Sequence, residues 1–283
     1  MSRLAETRRL VEDYQTAELI TGALQDIGST KMKAMRGQFE ENARFFAGIR
    51  EVYSIVKTHA LEGSVTALTH EPAEHRPGRD IYIALTSNKR FYGTLNRDIM
   101  RAFAQTVRRS EEADFLVVGQ TGAQYLDEAP LSHPISRTQF ENDRPTEVEM
   151  RELFSRIGTG YRRVFILYPH FVNPFRQDPV MTDITQTPEG LVTPEEKAEY
   201  IFEPEIPRML EFFEAQVRRV LFERVILETE LARVAARAMK MRNARENASD
   251  LREVYERQMR REIATLAEMR LMETFIGYTF WNV

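Results

Sequence analysis

Residues 207–275 read PRMLEFFEAQVRRVLFERVILETELARVAARAMKMRNARENASDLREVYERQMRREIATLAEMRLMETF. Leu210, Phe213, Val217, Val220, Leu227, Leu231, Val234, Ala238, Met241, Ala248, Tyr255 and Met259 fall on one ladder of alternating three- and four-residue steps. Such a ladder is the seam of a coiled coil. Only Arg224, Arg245 and Arg252 interrupt it, and no glycine or proline lies between Pro207 and Gly277. At 1.5 Å per residue the helix would be ~100 Å long. A helix of that length cannot fold back into one compact core and needs a partner helix.

The partner is at the other end of the chain. Residues 2–61 read as one helix, with Ser2 as N-cap and no proline before Pro72. Its seam is Met35, Phe39, Asn42, Phe46, Ile49, Tyr53, Val56 and Ala60. Upstream, Leu10, Tyr14 and Ala17, then Ile20, Leu24 and Ile27, form a second phase offset from the first. Gly22, Gly28, Gly37 and Gly48 each cost about 1 kcal/mol relative to alanine inside a helix, so they imply close helix packing or a bend.

Between the helices, residues 62–77 read as a linker with Gly63, Pro72 and Pro77. The short apolar runs at 81–86 (IYIALT), 115–118 (FLVV) and 164–168 (VFILY) read as buried strands, and 180–187 as an edge strand. Helical patterns at 97–108 and 147–158 alternate with them, the second opened by Pro145 and Thr146. The expected fold is therefore α/β plus a long antiparallel coiled coil: shaft helices at 1–62 and 207–283, with a small domain of mostly parallel sheet at 63–206.

Composition narrows the function. The 283 residues carry a net charge of −4 with 29% charged residues, which argues against a general nucleic-acid binder. The absence of cysteine excludes disulfides and thiolate metal sites. No apolar run is long enough to span a membrane, and residues 1–10 lack a signal-peptide core, so the expected setting is cytosolic.

Candidates for chemistry are few. Gly119 to Gly122 (GQTG) follows a strand, where a phosphate-binding turn would sit, but the third glycine and the lysine of a phosphate loop are missing. A plain strand-to-helix turn is the competing reading. His59, His70, His75, His133 and His170 show no ligand spacing. Ser132–His133 has no elbow motif, and Ser87, Lys89 and Tyr92 only imitate a Ser/Lys arrangement. No catalytic, metal or cofactor site is expected.

Six segments in register resemble one family. Residues 20–24 (ITGAL) with Lys31-Met32 resemble ITKAM…K-[LM], and 85–96 (LTSNKRFYGTLN) resembles LTSDRGLCGGLN. Residues 115–122 resemble a strand ending in IGxKG, Asp143-Arg144-Pro145 a GDRP turn, and 200–204 (YIFEP) the run YLYEP. Residues 235–248 (AARAMKMRNARENA) resemble AARMVAMDNATKNA. These are motifs of the gamma subunit of F-type ATP synthases, the central rotor shaft, and together they cover nearly the whole chain.

The resemblance implies a non-catalytic subunit that couples ion flow through a membrane ring to ATP synthesis or hydrolysis by rotating inside an α/β hexamer. It implies as partners the α and β subunits, the epsilon subunit and the c-subunit ring. Nucleotides and magnesium would be bound by α and β, no nucleic acid would be involved, and membrane contact would run only through the ring at the cytoplasmic face of a bacterial inner membrane. Carried over by position, Leu24, Lys31, Arg233, Arg237, Met241, Asn243, Asn247, Arg257 and Arg260 would face the hexamer, Tyr200, Phe202 and Glu203 the ring and epsilon, and Gly93 and Asn96 would shape a domain turn. Arg233, Arg237, Arg242 and Arg245 have an equal alternative as solvated helix faces paired with Glu228, Glu230 and Glu246. The chain departs from the family at Gly22, at residues 88–94, at 259–264 (MRREIA, where the family has RQAxIT) and in the 279–283 tail. Those departures suit a divergent paralogue from an alternative bacterial rotary ATPase, with either protons or sodium as its coupling ion. A non-rotating scaffold derived from a shaft and a small-ligand α/β enzyme with helical arms are the other two classes.

Overall fold

The computed structural model describes residues 3–62, 78–110, 112–158, 160–185 and 203–281. The linker at 63–77, Ser2, and the side chains of His59, His70 and His75 lie outside them. The elements run α1 (Arg3–Glu62), β1 (Arg79–Leu85), α2 (Leu95–Arg109), β2 (Ala113–Val118), α3 (Gln120–Glu128), β3 (Ile135–Thr138), α4 (Glu147–Gly158), β4 (Tyr161–Asn173), β5 (Arg176–Asp183) and α5 (Ile206–Trp281). They group into two compact units, residues 30–236 and residues 1–29 with 237–283.

In the larger unit the five strands lie in the order β3-β2-β1-β4-β5, parallel except for β4 against β5. Alternate residues of each strand serve opposite faces. Ile81, Ile83, Leu85, Leu116, Val118, Val164 and Ile166 pack with Leu153 and Ile157 of α4 and with Phe222, Val225 and Ile226 of α5. Ala84, Phe115, Val117 and Leu167 pack with Ile99, Met100, Phe103 and Val107 of α2, Leu126 of α3 and Ala236 of α5. The free edge, β5, carries Pro179 opposite Pro169, so one backbone donor that could template further strands is absent.

α4 spans the residues its pattern predicts because a capping box fixes its start. Thr146 N donates to Glu149 Oε2 at 2.8 Å, and Glu149 N donates back to Thr146 Oγ1 at 3.3 Å. β3 carries no signal that the sequence shows, whereas α3 follows the strand-to-helix turn read at Gly119 to Gly122. ISRT is four residues with a single large apolar side chain. The edge strand begins at Arg176, earlier than expected, because β4 runs on past its apolar core into a hairpin.

Both helices of this unit bury the expected ladder. Met35, Phe46, Tyr53 and Val56 of α1 are buried, as are Leu210, Val217 and Val220 of α5. Tyr53 and Val56 pack with Leu210, Phe46 packs with Val217 and Val220, and Arg224 lies 5.5 Å over the Phe39 ring. Numbers rise on one helix as they fall on the other, which makes the pair antiparallel. From 222 to 236 α5 is buried well beyond one stripe, because α1 takes one side and the sheet another; Phe222, Val225, Thr229, Ala232 and Ala235 are all under 9% exposed.

In the smaller unit α1 and α5 are again antiparallel. Tyr14 stacks on Tyr255 with ring centroids 5.5 Å apart, Arg252 pairs with Glu18 at 3.1 Å, and Arg3 pairs with Glu262 at 3.2 Å. Here the expected second phase is corrected. Ile20, Leu24 and Ile27 are 55%, 40% and 63% exposed, while Thr21, Gly22, Gln25 and Gly28 turn inward. Small residues face α5 because it comes close. A Cβ on Gly28 would lie 3.0 Å from the Ala238 Cβ, and one on Gly22 would lie 3.4 Å from the Arg245 Nε. Gly37 and Gly48 of the other unit face open space, with nothing within 4 Å, and Gly22 has room for ordinary contact, so close packing explains Gly28 and not the other three.

Candidate functional site

In an open α/β sheet, ligands bind beyond the carboxyl ends of the strands, where the strand order reverses. Here that point lies between β1 and β4, and the chain fills the end of β1 with its own groups. Thr86, the residue after β1, donates its hydroxyl to the Val118 carbonyl at 2.7 Å and accepts the Gly122 amide at 3.0 Å. The Thr86 carbonyl accepts Arg233 Nη2 at 2.7 Å, and the Asp143 carbonyl accepts Arg233 Nη1 at 3.0 Å. Gly119 sits at φ +107°, where a Cβ would fall 2.3 Å from the Thr86 carbonyl oxygen, and a Cβ on Gly122 would fall 2.5 Å from its hydroxyl. The GQTG turn owes both glycines to this contact with Thr86, which leaves no cradle for a phosphate.

The neighbouring loop is tied down by a carboxylate. Asp143 accepts the Tyr92 hydroxyl and the amides of Asn88 (2.6 Å) and Lys89 (3.1 Å). Burial would raise its pKa, but those three hydrogen bonds and the Arg233 charge outweigh it and hold the carboxyl below its usual range. Ser87 is fully buried; its amide bonds to Asn96 Oδ1 and its hydroxyl to the Lys89 carbonyl and the Asn96 amide. It is therefore a structural serine and no nucleophile. Gly93, at φ +63°, lies in the turn before α2, whereas Asn96 is corrected: it is buried in the first turn of α2.

Two buried acids on α5 complete the arrangement. Glu228 accepts the Tyr168 hydroxyl at 3.2 Å and pairs with His170, and Glu230 lies 2.8 Å from Lys31 of α1 and 3.5 Å from Arg144. Arg233 is only 6% exposed; burial pushes its pKa down, while Asp143, Tyr92 and Glu230 oppose that shift. These groups bind segments of one chain together, with the acids and Arg233 buried and His170, Lys31 and Arg144 partly exposed. Among the described residues no cluster of three or more His, Cys, Asp or Glu could hold a metal, and no helix is long and apolar enough to cross a membrane.

The sequence-predicted contact residues divide accordingly. Arg233 is corrected: it is internal and inaccessible to a partner subunit. Met241 is likewise buried in the helix seam, and Lys31 spends its charge on Glu230. Leu24, Asn243, Asn247, Arg257 and Arg260 are exposed on the smaller unit, the last two beside Glu253 and Glu256 of their own helix, and Arg237 is partly buried. Arg242 pairs with Glu246 at 3.0 Å. Glu203 is exposed, and Tyr200 and Phe202 lie outside the described residues. One surface was not foreseen. Beyond Glu262 of α5, which Arg3 and Thr7 of α1 contact, Ile263, Leu266, Met269, Leu271, Met272, Phe275 and Ile276 are 42–70% exposed. These large apolar residues of 263–276 occupy ~20 Å of helix.

A family model described as ATP synthase matches residues 3–262. The ATP synthase gamma chain of Psychrobacter cryohalolentis is 24% identical over 268 residues, covering 89% of each chain, and that of Moorella thermoacetica is 23% identical over 260 residues at the same coverage. The fold matches a chain of the Tetrahymena thermophila mitochondrial ATP synthase central stalk and c-ring with a TM-score of 0.55 at 21% identity, over 80% of this chain and 99% of that one. A chain of the Euglena gracilis mitochondrial ATP synthase follows with a TM-score of 0.53 at 12% identity, over 89% and 94%.

Proposed function

The chain belongs to the ATP synthase gamma-chain family, and on that footing we propose how it works as the central-stalk rotor subunit of an F-type ATP synthase. Residues 263–281 of α5, with the antiparallel pair below them, turn inside a sleeve built from α and β subunits. The α/β domain meets the epsilon subunit and the c-subunit ring, and the chain is held at the membrane only through that ring. Catalysis belongs to nucleotide sites on α and β, so this chain needs no cofactor of its own.

The observation that carries the reading is the apolar surface at 263–276. Single exposed apolar residues need no explanation, but seven large ones within 263–276 of one helix, interspersed with Glu268, Arg270 and Glu273, mark an interaction surface. A sleeve lined with apolar side chains would cover it without fixing its angle, since apolar burial is non-directional. Leu24, Asn243, Asn247, Arg257 and Arg260 lie exposed on the same unit, where asymmetric contacts could bias each β site toward a different nucleotide affinity. The structure gives the enzyme alternative no support, because the sheet's ligand position is occupied by Arg233 and the 139–146 loop.

The test is co-expression of the tagged chain with the α and β subunits encoded beside it. A complex of three α, three β and one copy of this chain, hydrolysing ATP only when all are present, supports the rotor. A chain that purifies alone or as a homodimer and leaves ATPase activity unchanged refutes it and favours the scaffold.

A further inference from the structure

Apolar contacts hold α5 on the sheet through Phe222, Val225, Ile226 and Ala236. Such contacts are non-directional. Here they are only partly self-similar: a one-turn slide would replace Phe222 by Ile226 and Val225 by Thr229, but Ile226 by Glu230 and Ala236 by Lys240. The apolar contacts at 222 and 225 therefore tolerate a one-turn displacement, and those at 226 and 236 oppose it. The buried polar set adds a sharper, directional distinction, above all through Arg233. Its guanidinium bonds two carbonyls from separate segments, Thr86 after β1 at 2.7 Å and Asp143 in the 139–146 loop at 3.0 Å. Both acceptors are themselves fixed, Thr86 by Val118 and Gly122, and Asp143 by Tyr92, Asn88 and Lys89. A slide of one turn moves the guanidinium by about 5 Å. That leaves a buried cation and two carbonyls without partners.

We propose that Arg233 is a positioning residue that sets the axial and rotational register of α5 on the sheet. Buried polar groups are best attested in this role of selecting one register among several apolar ones. Glu228, through Tyr168 and His170, and Glu230, through Lys31 and Arg144, bear on the same stretch of helix but reach it through partners on β4, α1 and the loop. Arg233 alone of the three bonds backbone, which cannot swing away as a side chain can. If the chain is the rotor described above, this register is how the sheet grips α5 within the larger unit. The register itself can be measured whether or not the chain turns in a complex, so the two readings fail separately.

The full-length chain lacks cysteine, so spin labels can be placed at will. Arg97→Cys on α2 and Arg219→Cys on α5 are both exposed and both within the larger unit. With Arg233 intact, the distance distribution between the labels is expected to be a single narrow peak. In Arg233→Met, which keeps length and bulk but cannot bond the carbonyls, a second peak or a shift of roughly one helical turn, ~5 Å, is expected. Helical circular dichroism should be retained, and Arg233→Lys should restore most of the original peak. A Met variant whose distribution superimposes on the parent's overturns the proposal. Should Arg233→Met not fold, Arg233→Gln is read in the same way. If both fail to fold, the proposal is overturned as well, because Arg233 would then secure stability and not register.

Discussion

Gly37 and Gly48 offer the cleanest test of how α1 is packed. Both lie in the interior of a 60-residue helix, both are exposed, and a Cβ at either would meet nothing within 4 Å. Glycine costs ~1 kcal/mol relative to alanine in a helix interior because the unfolded chain has more freedom to lose. Gly37→Ala and Gly48→Ala should each stabilise the full chain by about that amount. They lie three turns apart, ~16 Å along the axis, so the double variant should gain ~2 kcal/mol additively. Gly28 is the internal control, because its Cβ would approach the Ala238 Cβ to 3.0 Å. Gly28→Ile should lose about 1–3 kcal/mol to overpacking, of which helix propensity returns roughly half a kcal/mol. Urea unfolding followed by circular dichroism reads all four proteins as shifts in midpoint. A loss of stability in Gly37→Ala or Gly48→Ala would refute the reasoning, since it would mean that α1 needs a bend or a close approach where the structure shows open space.

Other expectations follow from the same geometry. Gly119→Ala places a side chain at φ +107° and 2.3 Å from the Thr86 carbonyl, so it should cost on the order of 3 kcal/mol, seen as a lowered melting temperature. Thr146→Ala removes the capping box of α4 and should cost about 1 kcal/mol by urea titration. The folded Asp143 carboxyl is held below its ordinary value of 3.8, so its contribution to stability is complete above about pH 5 and is lost as pH falls toward and below pH 3. Asp143→Asn should therefore lower stability at pH 7 and flatten the decline between pH 5 and 3; an unchanged acid limb would show that the carboxylate is not the group concerned. Met272→Glu with Phe275→Glu should leave the isolated chain folded, since both side chains are exposed, yet weaken its assembly with α and β by tenfold or more, measured by titration.

Much of the architecture was legible because it rests on periodicity. The 210–259 ladder and the 35–56 ladder need only the positions of apolar residues, and the alternation of FLVV and VFILY with helical patterns needs only length and branching. The unread parts are those where a second neighbour overrides the local pattern. Ile20, Leu24 and Ile27 look like a seam, but Gly22 and Gly28 take the facing side, and Ala238 approaches Gly28 so closely that a larger side chain there would crowd it. Arg233 reads as an exposed arginine on a charged helix, and nothing local indicates that the Thr86 carbonyl, 147 residues away, lies beneath it. The one available signal was its place among Leu231, Ala232, Val234, Ala235 and Ala236, a run too apolar for a solvated face. β3 was missed because a four-residue strand on an edge has room for little pattern.

The central claim is that this chain turns. Because it contains no cysteine, Arg108→Cys, exposed in the last turn of α2, gives one attachment point for a bead or a fluorescent rod. In a complex immobilised through its β subunits and supplied with ATP, the account predicts unidirectional rotation of the probe in discrete steps, ceasing when ATP is withdrawn. Steady ATP hydrolysis by that complex with a stationary probe would contradict it and leave the chain a scaffold built on a rotor's fold.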